Sequence, residues 1–303
     1  MRIDRACDEF LRNCANVRKL SSHTTRAYRL DLVRFTRFVG PRKHVASFNR
    51  TTLTEYVEHL FTEHRLKETS AKRHVASVRS LFRWLEETGA IANDPFRGAR
   101  VRIKLPRRLP RVLTRAELAS LLAHPPSSDF SSVTARMAAE ILFATGIRVA
   151  ELSALRDGDI DLSAGVITII GKGSRQRRVY IPDAEIRDLI LAYRGARDAR
   201  HRGCDSFLIN SRGRAASPQY IRRVIRELGE NATISRRVTP HMFRHSVATY
   251  LLEEGVDIRY VQRLLGHRSI VTTEIYTHVA DAALKSRVVE RHPRKLILAA
   301  RAR

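Results

Sequence analysis

A proline-interrupted basic stretch, "DPFRGARVRIKLPRRLPR" (94–111), constrains the fold of this 303-residue chain more than any other feature. Its three prolines and closely spaced arginines and lysines carry no hydrophobic period of 3.6 or 2. Neither a helix nor a strand is therefore expected to run through it. The stretch reads as an extended interdomain linker, cationic enough to lie along phosphates. It divides a front part with helical periodicity from a back part of mixed character.

In the front part, "TTRAYRLDLVRFTRFVG" (24–40) places Tyr28, Leu32, Phe35 and Val39 on one stripe, ended by Gly40-Pro41. Leu53, Val57, Leu60 and Phe61 form a second stripe. Val75, Val78, Phe82 and Leu85 form a third, closed by Gly89. Arg26, Arg29, Arg34 and Arg37, then Lys72, Arg73, Arg79 and Arg83, occupy the opposite faces. Residues 1–93 thus read as a small helical bundle with cationic outer surfaces.

The back part opens with Thr114 and Glu117 at capping-box spacing, so a second domain begins near 112. "RMAAEILFAT" (136–145) reads as a helix stopped by Gly146, and "VAELSALR" as a short helix after it. "GVITIIGKGSRQRRVYIP" (165–182) holds two β-rich runs around a Gly-Lys-Gly turn. Helices are expected near 184–194 and over 218–228, the latter started by Ser217-Pro218 and ended by Gly229. Two more run from Thr239-Pro240 to Gly255 and from Asp257 to Gly266, and a last one bears Tyr276. The fold class is mainly α with a small β-sheet, in two domains.

Charge narrows the class of partner. Lys and Arg total 56 against 31 Asp and Glu, a formal net charge of +25. Residues 1–110 hold 24 of the basic and 11 of the acidic residues, leaving 32 and 20 for the rest, so both halves are cationic. That distribution suits a protein gripping a polyanion from two sides. Apolar runs such as "AAEILFA" (138–144) are too short to cross a bilayer. Arg2, Asp4 and Arg5 make the amino terminus unlike a secretory signal, and a soluble, intracellular protein is expected. Cys7, Cys14 and Cys204 show no zinc-type spacing and read as reduced thiols.

A dispersed group of residues points to chemistry. Arg148 and Glu151 are i,i+3 neighbours after the Gly146 break, and His241 and Arg244 repeat that spacing at a helix start. His267 follows Gly266, Tyr276 lies nine residues on, and Lys172 sits in the proposed hairpin turn. Singly, each has a commoner explanation: a surface ion pair, a solvated helix end, a cap, a packed ring. As a set they supply what phosphodiester cleavage without metal requires. Arginines match two non-bridging oxygens through their fork geometry. Histidine and lysine can donate or move a proton to the leaving oxygen. A tyrosine becomes a nucleophile when cationic neighbours favour its phenolate. No carboxylates fall at metal-ligand spacing, so a two-metal site is not expected.

"ATGIRVAEL", "GKGSRQRRVYIP", "PHMFRHSVATYLLEEG", "LLGHRS" and "TTEIYTHV" occur in the order and approximate spacing of the tyrosine recombinase (phage integrase) family, which this chain resembles over roughly 10–292. The 24–40 helix and "SAKRHVASVRSLFRWLEETG" look like that family's core-binding domain, and "RHPR" (291–294) looks most like its Xer branch. The resemblance implies a core-binding domain at 1–93, a basic linker at 94–111, a catalytic domain at 112–290 and a tail at 291–303 that docks on a neighbouring protomer. It implies Arg148, Lys172, His241, Arg244, His267 and Tyr276 as the catalytic set, with Tyr276 the nucleophile and Glu151 in support. DNA contacts are expected from Arg26, Lys72, Arg73, Arg79, Arg83, Arg175, Arg222, Arg223 and Arg268. Double-stranded DNA as partner, a homo- or hetero-tetramer on two sites, no cofactor and a cytoplasmic, nucleoid-associated location follow from the same resemblance; no membrane partner is expected, given the short apolar runs. Type IB topoisomerase-like relaxation and non-enzymatic DNA binding are the alternatives.

Overall fold

The structure, a computed structural model, describes residues 1–99, 101–104, 111–127, 129–171, 176–201 and 203–266. The chain forms two compact units, Met1–Arg108 and Leu109–Arg303, each with its own core.

The first unit is helical: α1 (Ile3–Asn16), α2 (Ser22–Val39), α3 (Arg50–Thr62) and α4 (Glu68–Glu87). Side-chain caps set two of the starts. Ser21 accepts from the Thr24 N–H at the head of α2, and Asn49 accepts from the Thr52 N–H at the head of α3. Leu32, Phe35, Leu53, Leu60, Val75, Val78, Phe82 and Leu85 are all buried, as their stripes predict. Phe61 is not in the core; Tyr56 fills the place instead and stacks edge-on against Phe35 at 5.0 Å. Sequence periodicity did not single out α1, whose Ile3, Ala6, Phe10 and Cys14 are fully buried. The segment after α4 stays on this unit. Phe96 is buried in its core, and Ala99, Val101 and Ile103 pack against it.

The second unit contains α5 (Arg115–Ala123), α6 (Phe130–Thr145), α7 (Val149–Ala154), α8 (Ala184–Asp198), α9 (Pro218–Asn231), α10 (Pro240–Glu253) and α11 (Ile258–Leu265). A small antiparallel sheet joins β1 (Ile160–Asp161), β2 (Val166–Ile170) and β3 (Gln176–Tyr180) in that order. The Thr114 capping box forms as expected: Thr114 accepts from the Glu117 N–H, and the Glu117 carboxylate accepts from the Thr114 N–H. α6 is the central helix, packed by α5, α7, α8, α9 and α10. Its Met137, Ala138, Ile141 and Leu142 are buried on several sides.

Two glycines act differently from one another. Gly146 is left-handed (φ 63°) and ends α6. A Cβ there would lie 2.7 Å from Leu265 Cδ2, so glycine also lets α11 close on the α6 end. Gly229, by contrast, does not end α9, which runs on to Asn231. Its missing Cβ makes room for Val238, whose Cγ2 would lie only 2.5 Å from it. Close packing, not a turn, is what requires glycine at that position.

Candidate active site

The site assembles where the ends of α6 and α11 meet the starts of α7 and α10. Arg148 stands at the N-cap position of α7 with no cap bond from its own side chain, and Glu151 reaches back one turn to accept its backbone N–H at 2.7 Å. The same carboxylate accepts from the Arg148 guanidinium at 3.0 Å. Arg148 also donates to two carbonyls at the carboxyl end of α11, Leu265 at 3.4 Å and Gly266 at 3.1 Å. Arg244, the fifth residue of α10 and 5% exposed, donates to the Gly146 and Leu265 carbonyls, each at 2.7 Å. Arg148 and Arg244 therefore meet at one backbone oxygen, that of Leu265.

A third guanidinium belongs to the cluster and was missed in the sequence. Arg177 of β3 makes a fork-on-fork pair with Glu151, Nη1 to Oε1 at 2.9 Å and Nη2 to Oε2 at 2.7 Å. Its Nε donates to the Leu264 carbonyl at 3.0 Å. The signal was the strand alternation. Arg177 stands opposite Ile169 and two residues from Val179, both buried, so it lies on the core-facing side of the sheet. An arginine on such a face needs a carboxylate partner.

The electrostatics follow from this crowding. Burial pushes the Glu151 carboxyl up, but hydrogen bonds from Arg177 and the Arg148 N–H, with both positive charges, outweigh it and hold the group below the usual range. Glu151 stays ionised. His241 is pushed down, first by desolvation of its ring and then by the charges of Arg244, Arg222 and Arg148. At neutral pH it is an uncharged imidazole with one N–H to donate. His245, one turn along α10 from His241, is lowered for similar reasons, desolvation first. Among the described residues, no group of three or more His, Cys, Asp or Glu side chains is placed to hold a metal ion.

The profile of the phage integrase family matches residues 111–283, and that of the phage integrase amino-terminal SAM-like domain matches residues 7–89. The chain belongs to the phage integrase family. It is a Xer-like tyrosine recombinase. A tyrosine recombinase of Agathobacter rectalis is 33% identical over 298 residues, covering 94% of this chain and 95% of the relative. The tyrosine recombinase XerD of Halalkalibacterium halodurans is 35% identical over 285 residues, covering 91% and 94%. Among solved structures, the XerH site-specific recombinase bound to its palindromic difH substrate in a post-cleavage complex shares the fold. Its TM-score is 0.73 at 24% identity, covering 92% of this chain and 83% of that one.

Within this recombinase the structure brings Arg148, Glu151, His241 and Arg244 together, with Arg222 near enough for its charge to act on His241. Lys172, Arg175, His267, Arg268 and Tyr276 lie outside the described residues, as do the helix expected around Tyr276 and the tail at 291–303. Arg223 folds back on Glu227 at 3.1 Å and over the Tyr220 ring at 5.0 Å. On the first unit, Arg26 is exposed on α2. Lys72, Arg79 and Arg83 line an open groove of about 540 Å³ with Arg102 and Lys104. Arg79 is partly engaged there, donating to the Ala99 carbonyl, and Arg73 is held by the buried Asp31.

Proposed function

We propose that this recombinase cuts and rejoins double-stranded DNA at defined sites through a covalent tyrosine–phosphate link. The observation that carries the reading is the convergence of Arg148 and Arg244 on one oxygen beside the neutral His241. Two fixed guanidiniums and one N–H donor are what a phosphoryl group gathering negative charge calls for. The Tyr276 oxygen releases its phenolic proton to solvent as it attacks phosphorus, and the bond from phosphorus to the 5′ oxygen breaks. Lys172 gives the leaving oxygen its proton, while Arg148, Arg244, His241 and His267 hold the non-bridging oxygens. The 5′ hydroxyl of a partner strand then gives its proton back to Lys172 and attacks the 3′-phosphotyrosine, releasing Tyr276, which takes up a proton from solvent. Because the covalent link keeps the energy of the original bond, no nucleotide cofactor enters the balance.

The experiment is a suicide substrate that traps the covalent step. Wild-type protein on its own site is expected to yield a protein–DNA adduct, and Tyr276→Phe none. The absence of an adduct from wild type on a mapped site would sink this reading. Sustained relaxation of supercoiled DNA lacking that site would favour a topoisomerase instead. Mapping the bound site in the host genome distinguishes chromosome dimer resolution from integration and excision of a mobile element. A cytoplasmic, nucleoid-associated location accords with such a substrate; no helix among the described residues is long and apolar enough to cross a membrane.

Four protomers on two sites would exchange strands through a Holliday junction. The second unit offers an apolar cleft of about 810 Å³, lined by Phe143, Tyr180, Val247, Tyr250, Leu251 and Leu264. The tail "KLILAARAR" (295–303) carries a short apolar segment suited to such a cleft on a neighbouring protomer. Deleting 295–303 is expected to abolish cooperative assembly on paired sites in a gel-shift titration while single-site binding persists. Unchanged cooperativity would rule out docking of the tail.

A further inference from the structure

Glu151 is a saturated carboxylate. Oε1 accepts from Arg177 Nη1 and Arg148 Nη1, and Oε2 accepts from Arg177 Nη2 and the Arg148 backbone N–H. Two of these four bonds come from Arg177, whose Nε fixes the Leu264 carbonyl. The next two carbonyls of the chain, Leu265 and Gly266, are those on which Arg148 and Arg244 rest. Arg177 thus reaches Arg148 by two routes. One runs through Glu151, and the other through the carboxyl end of α11.

We propose that Arg177 is a positioning residue for the recombination reaction, setting the place of Arg148 without itself meeting the phosphate. The inference rests on Arg148 being a phosphate-binding residue, as argued above. Arg177 is suited to the task because its side chain is only 14% exposed and is anchored on a strand. Its planar fork makes three directed bonds at once. A lysine keeps the charge but offers a single nitrogen, which cannot span both carboxylate oxygens and the Leu264 carbonyl. Gly266 takes part in the fit, since a Cβ there would come within 3.2 Å of the Arg177 side chain. Without the fork, Glu151 can swing and carry Arg148 with it. A displacement of about 1 Å in such a group costs on the order of a hundredfold in rate.

A merely structural ion pair would make the same contacts, so the test must read the phosphate. Single-turnover cleavage of a suicide substrate is measured with the full chain, on a normal scissile phosphodiester and on a methylphosphonate that removes one negative oxygen. Arg177→Lys is expected to cleave the phosphodiester roughly ten- to a hundredfold more slowly than wild type, with unchanged DNA affinity. On the methylphosphonate, which asks less of Arg148, the deficit is expected to shrink severalfold. An equal deficit on both substrates, or full activity on the phosphodiester, overturns the proposal. Should Arg177→Lys fail to fold, Glu151→Gln decides, because it keeps the side chain's shape while loosening the same joint. It must show the same substrate-dependent deficit; where Arg177→Lys does fold, the double variant must show no more than the larger single deficit. Wild-type protein that forms no adduct on the phosphodiester would remove the underlying site reading instead. An adduct from wild type together with an unaffected Arg177→Lys removes only the role of Arg177.

Discussion

Arg244→Ala is expected to slow single-turnover DNA cleavage by about a hundred- to a thousandfold, the usual consequence of removing one preorganised donor from a site where charge develops. The side chain is 5% exposed and held by the Gly146 and Leu265 carbonyls, so its guanidinium is fixed before substrate arrives. Affinity for the DNA site should fall by less than about tenfold, because many cations share the electrostatic attraction. The deletion also leaves the Gly146 carbonyl short of a partner, at about 1–3 kcal/mol. Leu265 is less affected, since Arg148 donates to it as well. Thermal unfolding therefore accompanies the rate measurement. A folded Arg244→Ala that cleaves within about tenfold of wild type would contradict the role given to this arginine.

The second large effect is expected in the helical first unit. Asp31 on α2 is fully buried and accepts from Arg73 and, at 2.7 Å, from Ser77 Oγ, both on α4. His74 Nε2 lies 3.2 Å away, and its Nδ1 is 3.1 Å from the Tyr56 hydroxyl on α3. One carboxylate thus ties three helices together. Asp31→Ala leaves the His74 ring and the Arg73 guanidinium without their shared acceptor. Breaking a buried pair from one side costs about 3–5 kcal/mol. The lower end applies here because the Arg73 side chain is 49% exposed and can turn to water. At several degrees per kcal/mol for a unit of this size, the first unit should melt about 15 °C lower. Hydrogen exchange in α2 and α4 of the full chain reads that loss separately from the second unit. Asp31→Asn, which keeps one acceptor oxygen, should lose about half as much. An exchange pattern unchanged in Asp31→Ala would show that the network contributes no net stability.

Arg73 illustrates how a side chain's neighbours change its reading. From the sequence it is one of several basic residues on the outer face of a helix. In the fold, part of its guanidinium is engaged by Asp31, a contact between residues 42 apart in the chain. Arg79 is a similar case, with one nitrogen engaged by the Ala99 carbonyl. Lys72 and Arg83 remain exposed beside the basic groove. The cationic face is real, but its members are not equivalent.

What the residues alone determined was local. The 3.6-residue stripes of α2 and α4, the Thr114 capping box, the Pro218 and Pro240 helix starts and the Gly146 stop each depend on neighbours within about one turn. They were legible because the interactions that form them lie within a few residues. Helix α1 was not singled out, and Gly229 was misread as a helix end. The first gains its stability by packing against α2 and α4, and the second is explained only by Val238 pressing on it. At the site, the Arg148–Glu151 pair was readable from its i,i+3 spacing. The tie from Arg177 to Glu151 was not, because it spans 26 residues and exists only once β3 folds against α7 and α11. Local spacing therefore chose the chemical groups, while only the tertiary structure decided what holds them, because a guanidinium's partners are set by distance in space.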